Sequence, residues 1–166
     1  MKFRTLRADE IDVRITMVKQ NGLSLVLYKD ARCDMNILDE TVGNMNWKRE
    51  HTRDNANCIV SLWDSEKQQW ISKEDTGTGG FTEKEKGLAS DSFKRACVNW
   101  GIGRELYTVP FIWIKLEDAD IKQNGNKYTS NERFFVEKIA YDESKNITGL
   151  SIINSKGKRV FVWQKS

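Results

Sequence analysis

Short strand-like segments separated by turn signals dominate this sequence, and two segments have helical periodicity. Between Ile11 and Met17, apolar residues alternate with polar ones, which indicates a strand with one buried face. Asn21-Gly22 is a strong turn signal, and the apolar run Leu23 to Tyr28 follows it. The pattern therefore begins with two strands that a tight turn joins.

The first helical segment is predicted from Asp30 to Val42. Asp30 can serve as the N-cap, and Gly43 stands where a left-handed residue commonly closes a helix. Apolar residues at helical spacing predict that its buried stripe is Ala31, Met35, Leu38 and Val42.

A strand-rich segment follows the first helix. We predict strands over Trp47 to Thr52, Cys58 to Trp63 and Gln69 to Ser72, with a turn at Asp64 to Lys67. The polar, glycine-rich stretch from Glu74 to Gly80 is predicted to be a loop.

The second helical segment is predicted from about Thr82 to Trp100, and Thr82 with Glu85 fits a capping box. Gly101 and Gly103 end this helix and allow a tight turn. Its apolar stripe is predicted to be Ala89, Phe93, Ala96, Cys97 and Trp100. Lys94 and Arg95 project away from that stripe.

The last part of the sequence predicts a strand over residues 111–116, a polar loop over 118–130 and a three-stranded meander. The predicted order is β-β-α-β-β-β-α-β-β-β-β. This order indicates an α+β fold with helices on one face of an antiparallel sheet. We expect a single domain over residues 1–166, with a core at about 5–115 and the meander at about 132–164.

The composition suits a folded protein and excludes several classes. Hydrophobic residues make up 39% of the 166 residues, no apolar run could span a bilayer, and the sequence MKFRTLRADEIDVRI lacks a signal-peptide core. We therefore expect a cytoplasmic protein without a membrane partner. Because the net charge is only +3, nucleic-acid binding would require a local basic surface.

Metal binding and nucleophilic catalysis have little support. Cys33, Cys58 and Cys97 form no CxxC motif, and His51 is the only histidine. We expect buried reduced thiols, an exposed loop histidine, no metal, no cofactor and no enzyme activity. One different function stays open: Asp64, Glu74 and Asp75 could serve a metal-dependent nuclease if they cluster.

The glycine-rich stretch Thr76 to Gly80 has two interpretations. Its backbone N–H groups could bind an anion, or it could be a plain flexible loop. It lacks the Gly-Lys-Ser/Thr of a nucleotide-binding P-loop, so nucleotide hydrolysis is not indicated.

Basic residues concentrate around the second helix. Lys94-Arg95 could be a solvated helix face, but further basic residues lie near the pair in the sequence. The candidate DNA-binding residues in this group are Lys94, Arg95, Arg104, Lys86, Lys84, Lys48, Arg49 and Lys73.

Three segments of the sequence form a combined pattern: Tyr28 to Trp47, with Asn36, Glu40 and Gly43; Glu74 to Gly79; and Ser90 to Ala96 followed by Trp100-Gly101. Together these segments resemble the single-strand annealing proteins of the Rad-fifty-two family, including its phage and prophage relatives. A further basic position of the family falls on Val98 here. The family's arginine in the earlier helix falls on Cys33, and the resemblance makes the adjacent, unaligned Arg32 a plausible substitute and a further candidate DNA-binding residue.

The resemblance implies a β-β-β-α core that assembles into rings or filaments. It also implies that single-stranded DNA is held by its backbone in a basic groove, where Lys94 and Arg95 match the family's helix pair, and that annealing needs no ATP. We therefore expect a homo-oligomeric, phage- or prophage-encoded annealing protein for recombination and double-strand-break repair in the bacterial cytoplasm. A host or phage single-strand-binding protein is a candidate partner. The sequence is also compatible with a protein that coats single strands without annealing them, and with a small assembly protein.

Overall fold

The computed structural model describes residues 1–78 and 84–166, and side chains at 84–86 are not described. The chain forms two compact units, one of residues 1–4 and 30–104 and the other of residues 5–29 and 105–166. In chain order the elements are β1 (Asp12–Lys19), β2 (Gly22–Tyr28), α1 (Ala31–Val42), β3 (Trp47–Thr52), β4 (Asn57–Asp64), β5 (Gln69–Thr76), α2 (Lys84–Asn99), β6 (Ile112–Lys115), β7 (Lys122–Asn124), β8 (Lys127–Thr129), β9 (Phe134–Tyr141), β10 (Ile147–Asn154) and β11 (Arg159–Gln164).

The first unit is a three-stranded antiparallel sheet, β3-β4-β5, covered by α2. Alternate residues of the central strand, Cys58, Val60 and Leu62, are buried. On α2, Phe93 and Cys97 are completely buried, and α2 packs on β4 and β5. Because strand side chains alternate between faces, the buried residues of β4 identify the face that the helix covers.

The first helix begins and ends as predicted, but its buried stripe differs from the prediction. The Asp30 carboxylate accepts a hydrogen bond from the Cys33 N–H at 3.0 Å, and Gly43 has φ 83°. The buried residues are Cys33, Asp34, Ile37 and Leu38. The predicted stripe therefore contained Leu38 but missed the other three, because a buried aspartate breaks the apolar pattern.

The second helix ends at two glycines, as predicted. Gly101 has φ 94° and Gly103 has φ 70°, a region that residues with a Cβ rarely occupy. Phe93, Ala96 and Cys97 of the predicted stripe are buried, while Ala89 and Trp100 are half-buried. The predicted capping box at Thr82 and Glu85 lies outside the described residues.

The second unit is a six-stranded antiparallel sheet in the order β11-β10-β9-β1-β2-β6. One face forms its core, with Leu23, Leu25, Ile112, Leu150 and Ile152 almost fully buried. The sheet curls so that β11 and β6 come close together. The predicted terminal meander, β9 to β11, is confirmed.

The α+β class with antiparallel sheets is confirmed, and the described residues contain two α-helices. Three details correct the predictions. The described strands form several sheets instead of one, β5 extends to Thr76 through residues predicted to be loop, and β7-β8 form a ribbon within the predicted 118–130 loop. Neither α-helix of the described chain has the length and apolar character needed to cross a bilayer.

Candidate nucleic-acid interface

Lys94 and Arg95 lie on the part of α2 that does not face the sheet core. Successive helical residues are turned by about 100°, so they follow the buried Phe93 around the helix. Arg95 Nε lies 3.3 Å from Asp75 Oδ1 on β5, and the Arg95 side chain keeps 43% of its surface exposed. Lys94 forms no hydrogen bond or ion pair with any residue that the structure describes.

Strand β5 places Lys73 on the same side as Asp75. Lys73 lies opposite the buried Val60, and Asp75 lies opposite the buried Cys58, so both side chains are on the face that α2 covers. Lys73 Nζ donates to the Asn99 carbonyl at 2.9 Å. Its ammonium group also lies 4.7 Å from the centre of the Trp100 ring.

The Arg104 side chain contacts the C-terminal end of α2. Its Nη2 donates to the Val98 carbonyl at 2.8 Å and to the Asn99 carbonyl at 3.1 Å. The last carbonyls of a helix carry partial negative charge, which attracts cations. The positive φ values at Gly101 and Gly103 provide the turn that precedes Arg104.

These contacts join Lys73, Arg95 and Arg104 around the C-terminal half of α2, and we call these three residues the basic seam. Asn99 links the helix to β5, since its Nδ2 donates to the Glu74 carbonyl at 2.8 Å and lies 3.3 Å from Asp75 Oδ2. Asp75 is the carboxylate within this network, so the seam carries more positive than negative charge. Lys94 adjoins it on α2.

The other predicted residues lie elsewhere in the same unit. Arg49 is on the helix-facing side of β3, with its guanidinium 4.8 Å from the Phe93 ring centre. Lys48 is on the opposite face of the sheet, 5.0 Å from the Trp70 ring centre. Arg32 pairs with Asp30 at the beginning of α1 at 2.9 Å. Lys84 and Lys86 belong to the first turn of α2, but their side chains are not described.

The roles of Asp75 and Asn99 in anchoring α2 to β5 were not predicted from the sequence. The edge-to-face packing of Trp63 and Trp70, with 5.5 Å between ring centres, was not predicted either. The predicted hairpin contained the necessary signal for the two tryptophans, because its turn places Trp63 opposite Trp70.

Trp47 and Trp100 are half-buried and hydrogen-bonded within the fold. Trp47 Nε1 donates to Asp39 Oδ1 at 2.6 Å and its ring stacks with Phe93. Trp100 Nε1 donates to the Val60 carbonyl at 3.0 Å. Both rings therefore help to hold the unit together.

His51 is half-buried and the three cysteines are buried within the fold. His51 is a half-buried residue of β3, not the exposed loop residue that was predicted, and its Nδ1 lies 3.4 Å from Ser92 Oγ. Burial, and then the nearby Arg49, lower the pKa of His51. All three cysteines are buried and outside any disulfide, which confirms the prediction of buried reduced thiols, and burial raises the pKa of Cys58 to about 11.

The carboxylates considered for a nuclease do not cluster. Glu74 and Asp75 point to opposite faces of β5, and Asp64 accepts hydrogen bonds from the N–H groups of Glu66 and Lys67 in the β4-β5 turn. Among the described residues, no group of three or more His, Cys, Asp or Glu side chains is arranged to hold a metal ion.

The predicted anion-binding loop is only partly described. The Gly77 N–H donates to the Ala56 carbonyl at 2.8 Å, and the Thr78 N–H donates to Asp91 Oδ2 at 2.9 Å. Both N–H groups already have protein acceptors, so these two positions do not offer a free nest. Gly79 and Gly80 lie outside the described residues.

No protein-family model matches the chain, and the searches of curated proteins and of solved structures gave no match either.

Proposed function

We propose that this protein binds single-stranded DNA along the basic seam and Lys94 and promotes annealing of complementary strands without ATP. The observation that carries this proposal is the network at the end of α2. Lys73, Arg95 and Arg104 surround one helix end, and hydrogen bonds or an ion pair orient each of them. Oriented cations at a spacing set by one helix and one strand suit a regular phosphate backbone.

The chemistry of the seam favours backbone contacts over base reading. Its side chains are ammonium and guanidinium groups, and the neighbouring tryptophan rings are half-buried. A strand held through its phosphates keeps its base edges free for a second strand. This arrangement supports annealing and does not require a catalytic residue or a cofactor.

We further propose that several copies assemble into a ring or filament, as the resemblance implies. The basic seam and Lys94 supply four cationic side chains, so the proposed basic surface of one copy is short. Repeating the seam in adjacent copies would give a continuous basic band for a long strand. The expected setting is phage- or prophage-encoded recombination and repair in a bacterial cytoplasm, and a single-strand-binding protein is a candidate partner.

The test is an annealing assay with two complementary fluorescent oligonucleotides in the absence of nucleotide. We expect faster pairing than in a protein-free control. Lys94→Ala combined with Arg95→Ala should abolish the acceleration and flatten the dependence of log K on log salt by about 1.4, at about 0.7 per phosphate contact. Lys122→Ala combined with Lys127→Ala is the matched control, because it removes two exposed charges from the β7-β8 ribbon.

Three outcomes would contradict the proposal. Tight binding without faster pairing would make the protein a coating protein. Equal salt slopes for the wild type and the Lys94/Arg95 variant would place the strand elsewhere. Degradation of labelled DNA with magnesium or manganese that Asp75→Ala abolishes would favour the nuclease.

A further inference from the structure

The six-stranded sheet leaves a concavity of about 890 Å³ on the outward face of β9, β10 and β11. On this face Gly149 lies opposite Ala140, and Ser151 lies opposite Val162. Residues directly opposite one another in antiparallel strands share a face. Val162 is 67% exposed, whereas Leu150, which points the other way, is 3% exposed. Gln164, which lies opposite Gly149 on the other side from Ala140, also faces the concavity. The floor therefore consists of short or aliphatic side chains and one side-chain amide.

Residues 6–8 line one side of the concavity, and two side chains fix this segment. The Leu6 N–H donates to Glu105 Oε1 at 2.7 Å, and the Leu6 carbonyl accepts a hydrogen bond from the Tyr141 hydroxyl at 2.9 Å. Burial, and then the charge of Glu105, raise the pKa of Tyr141, which keeps the hydroxyl protonated as a donor. The side of the concavity is thus formed before any ligand arrives.

Basic side chains surround the apolar floor. The described lining contains no aspartate or glutamate, and its basic residues are Arg7, Lys138, Arg159 and Lys165. Two of these are already paired: Arg159 forms two hydrogen bonds with Glu137, at 2.6 and 2.7 Å, and Arg7 lies 2.9 Å from Glu10.

Lys138 and Lys165 are the cations that remain available to a ligand. Lys138 is exposed and forms no hydrogen bond or ion pair within the described chain. Lys165 Nζ is 4.0 Å from Asp142 Oδ2, at the outer limit of an ion pair, and its side chain is 54% exposed. Two accessible ammonium groups beside an apolar floor complement a ligand that combines carboxylates with an apolar group.

The floor distinguishes a peptide from a nucleic acid. Single-stranded nucleic acids usually gain affinity when bases stack on aromatic rings. Here the floor residues are Ala140, Gly149, Ser151, Val162 and Gln164, none of which is aromatic, and Trp163 shares the core-facing side with Leu150. Gly149 and Ala140 leave room for one aliphatic side chain. An anionic peptide therefore fits this surface better than a polynucleotide.

We propose that this concavity binds an acidic peptide segment of a partner protein, with carboxylates at Lys138 and Lys165 and an aliphatic side chain over Gly149 and Ala140. This site has no residue in common with the basic seam. It gives the protein a recruitment surface in addition to its proposed DNA contact.

The test measures fluorescence polarisation of a labelled hexapeptide, Asp-Leu-Asp-Asp-Leu-Asp, with the full chain. A peptide with asparagine at every aspartate position is the charge control. We expect saturable binding of the acidic peptide, at least tenfold weaker binding of the asparagine peptide, and a similar loss in Lys138→Glu combined with Lys165→Glu. Lys156→Glu, which changes an exposed lysine outside the concavity, should bind as the wild type does.

Gly149→Leu should also abolish peptide binding, because Gly149 does not have a positive φ and a leucine there would occupy the floor. The double lysine variant changes only exposed side chains, so its result stands even if the leucine variant fails to fold. The Lys94/Arg95 double alanine variant should still bind the peptide, which separates this proposal from the DNA proposal.

Four results would overturn the proposal. They are no peptide binding, equal binding of the two peptides, full binding by the double lysine variant, or a changed native mass in that variant, which would identify a subunit interface. Binding of a labelled thymidine 20-mer that requires Lys138 and Lys165 but not Lys94 would instead assign the concavity to nucleic acid.

Discussion

Arg95 already has an anionic partner, and a phosphate would have to share or displace it. Asp75 Oδ1 lies 3.3 Å from Arg95 Nε and also accepts a hydrogen bond from the Thr76 N–H at 2.7 Å. The carboxylate is therefore fixed in position and orients the guanidinium. It also lowers the positive potential of the seam, so the same contact both positions Arg95 and weakens its attraction for phosphate.

Asp75→Asn should tighten binding of single-stranded DNA about fivefold at low salt. A partly exposed charge pair contributes up to about 1 kcal/mol, which corresponds to a factor of about 5 in a binding constant. The asparagine can still accept a hydrogen bond through its side-chain oxygen, so the orientation of β5 and α2 is expected to persist. Fluorescence polarisation of a labelled oligonucleotide at several salt concentrations measures the change.

Glu74→Gln is the matched control for this prediction. Glu74 is the preceding residue of β5 and points to the opposite face, where its Oε2 lies 3.3 Å from Asn57 Nδ2. Removing its charge should leave the oligonucleotide affinity nearly unchanged. Equal tightening in both variants would mean that the overall charge, and not the Asp75–Arg95 contact, controls binding.

At the scale of secondary structure, local signals predicted the hairpins well. Asn21-Gly22 predicted the β1-β2 turn, and the turn at residues 64–67 was predicted between β4 and β5. Both are short-range features, because the turn residues and the strand alternation are close together in sequence. Apart from the β7-β8 ribbon, the order of strands and helices followed from the same signals.

Tertiary contacts decided the elements that the sequence did not predict. Polar Glu74 and Asp75 looked like loop residues, but they pair with Ile59 and Cys58 and so extend β5. The ribbon β7-β8 is polar and exposed, so it has no hydrophobic alternation to reveal it. In α1, Asp34 is fully buried, and no periodicity rule predicts a buried carboxylate.

The sequence indicated which basic residues could form the candidate site, but it did not indicate which of them contact one another. Lys94, Arg95 and Arg104 are close in sequence, so their proximity around the end of α2 could be expected. Lys73 joins them only because β5 packs beside α2. Lys48 was predicted together with Lys73 as a contributor to the same basic surface. It precedes the helix-facing Arg49 on β3, so its side chain lies on the other face of the sheet.

Replacing glycine by alanine should have opposite effects on stability at the two ends of α2. Gly101→Ala should lower the free energy of unfolding by about 1 to 2 kcal/mol, because φ is 94° there and a Cβ disfavours left-handed backbone. Gly87→Ala should raise it by about 1 kcal/mol, because Gly87 is helical and exposed, and a Cβ there would meet no described atom within 4 Å. Denaturant unfolding measures both.

Equal effects of the two alanine substitutions would show that the turn after α2 does not require glycine. Loss of DNA binding in Gly101→Ala, with stability lowered only slightly, would show that the turn positions Arg104. Arg104 donates to the last carbonyls of α2 from the residues that follow this turn.

At the scale of the whole molecule, the basic seam of a single 19.3 kDa chain consists of three residues and is short. Annealing of long strands therefore requires that the seam is repeated, and the proposed ring or filament would do this with identical copies. If one strand crosses several adjacent seams, a defective copy interrupts the contact on both sides. If each copy binds DNA alone, a defective copy removes only its own contribution.

Mixed oligomers distinguish these cases. Wild-type chains and Lys94→Ala/Arg95→Ala chains can be co-expressed with two different affinity tags and purified through both tags, so that every assembly contains both kinds of subunit. We expect mixtures with half variant chains to retain clearly less than half of the wild-type annealing rate, because phosphate contacts on one strand act together. Mixtures with the Lys122→Ala/Lys127→Ala control should keep the full rate. An annealing rate that falls in proportion to the fraction of variant chains would mean that the copies act independently. A native mass equal to that of one chain would contradict the proposed ring or filament.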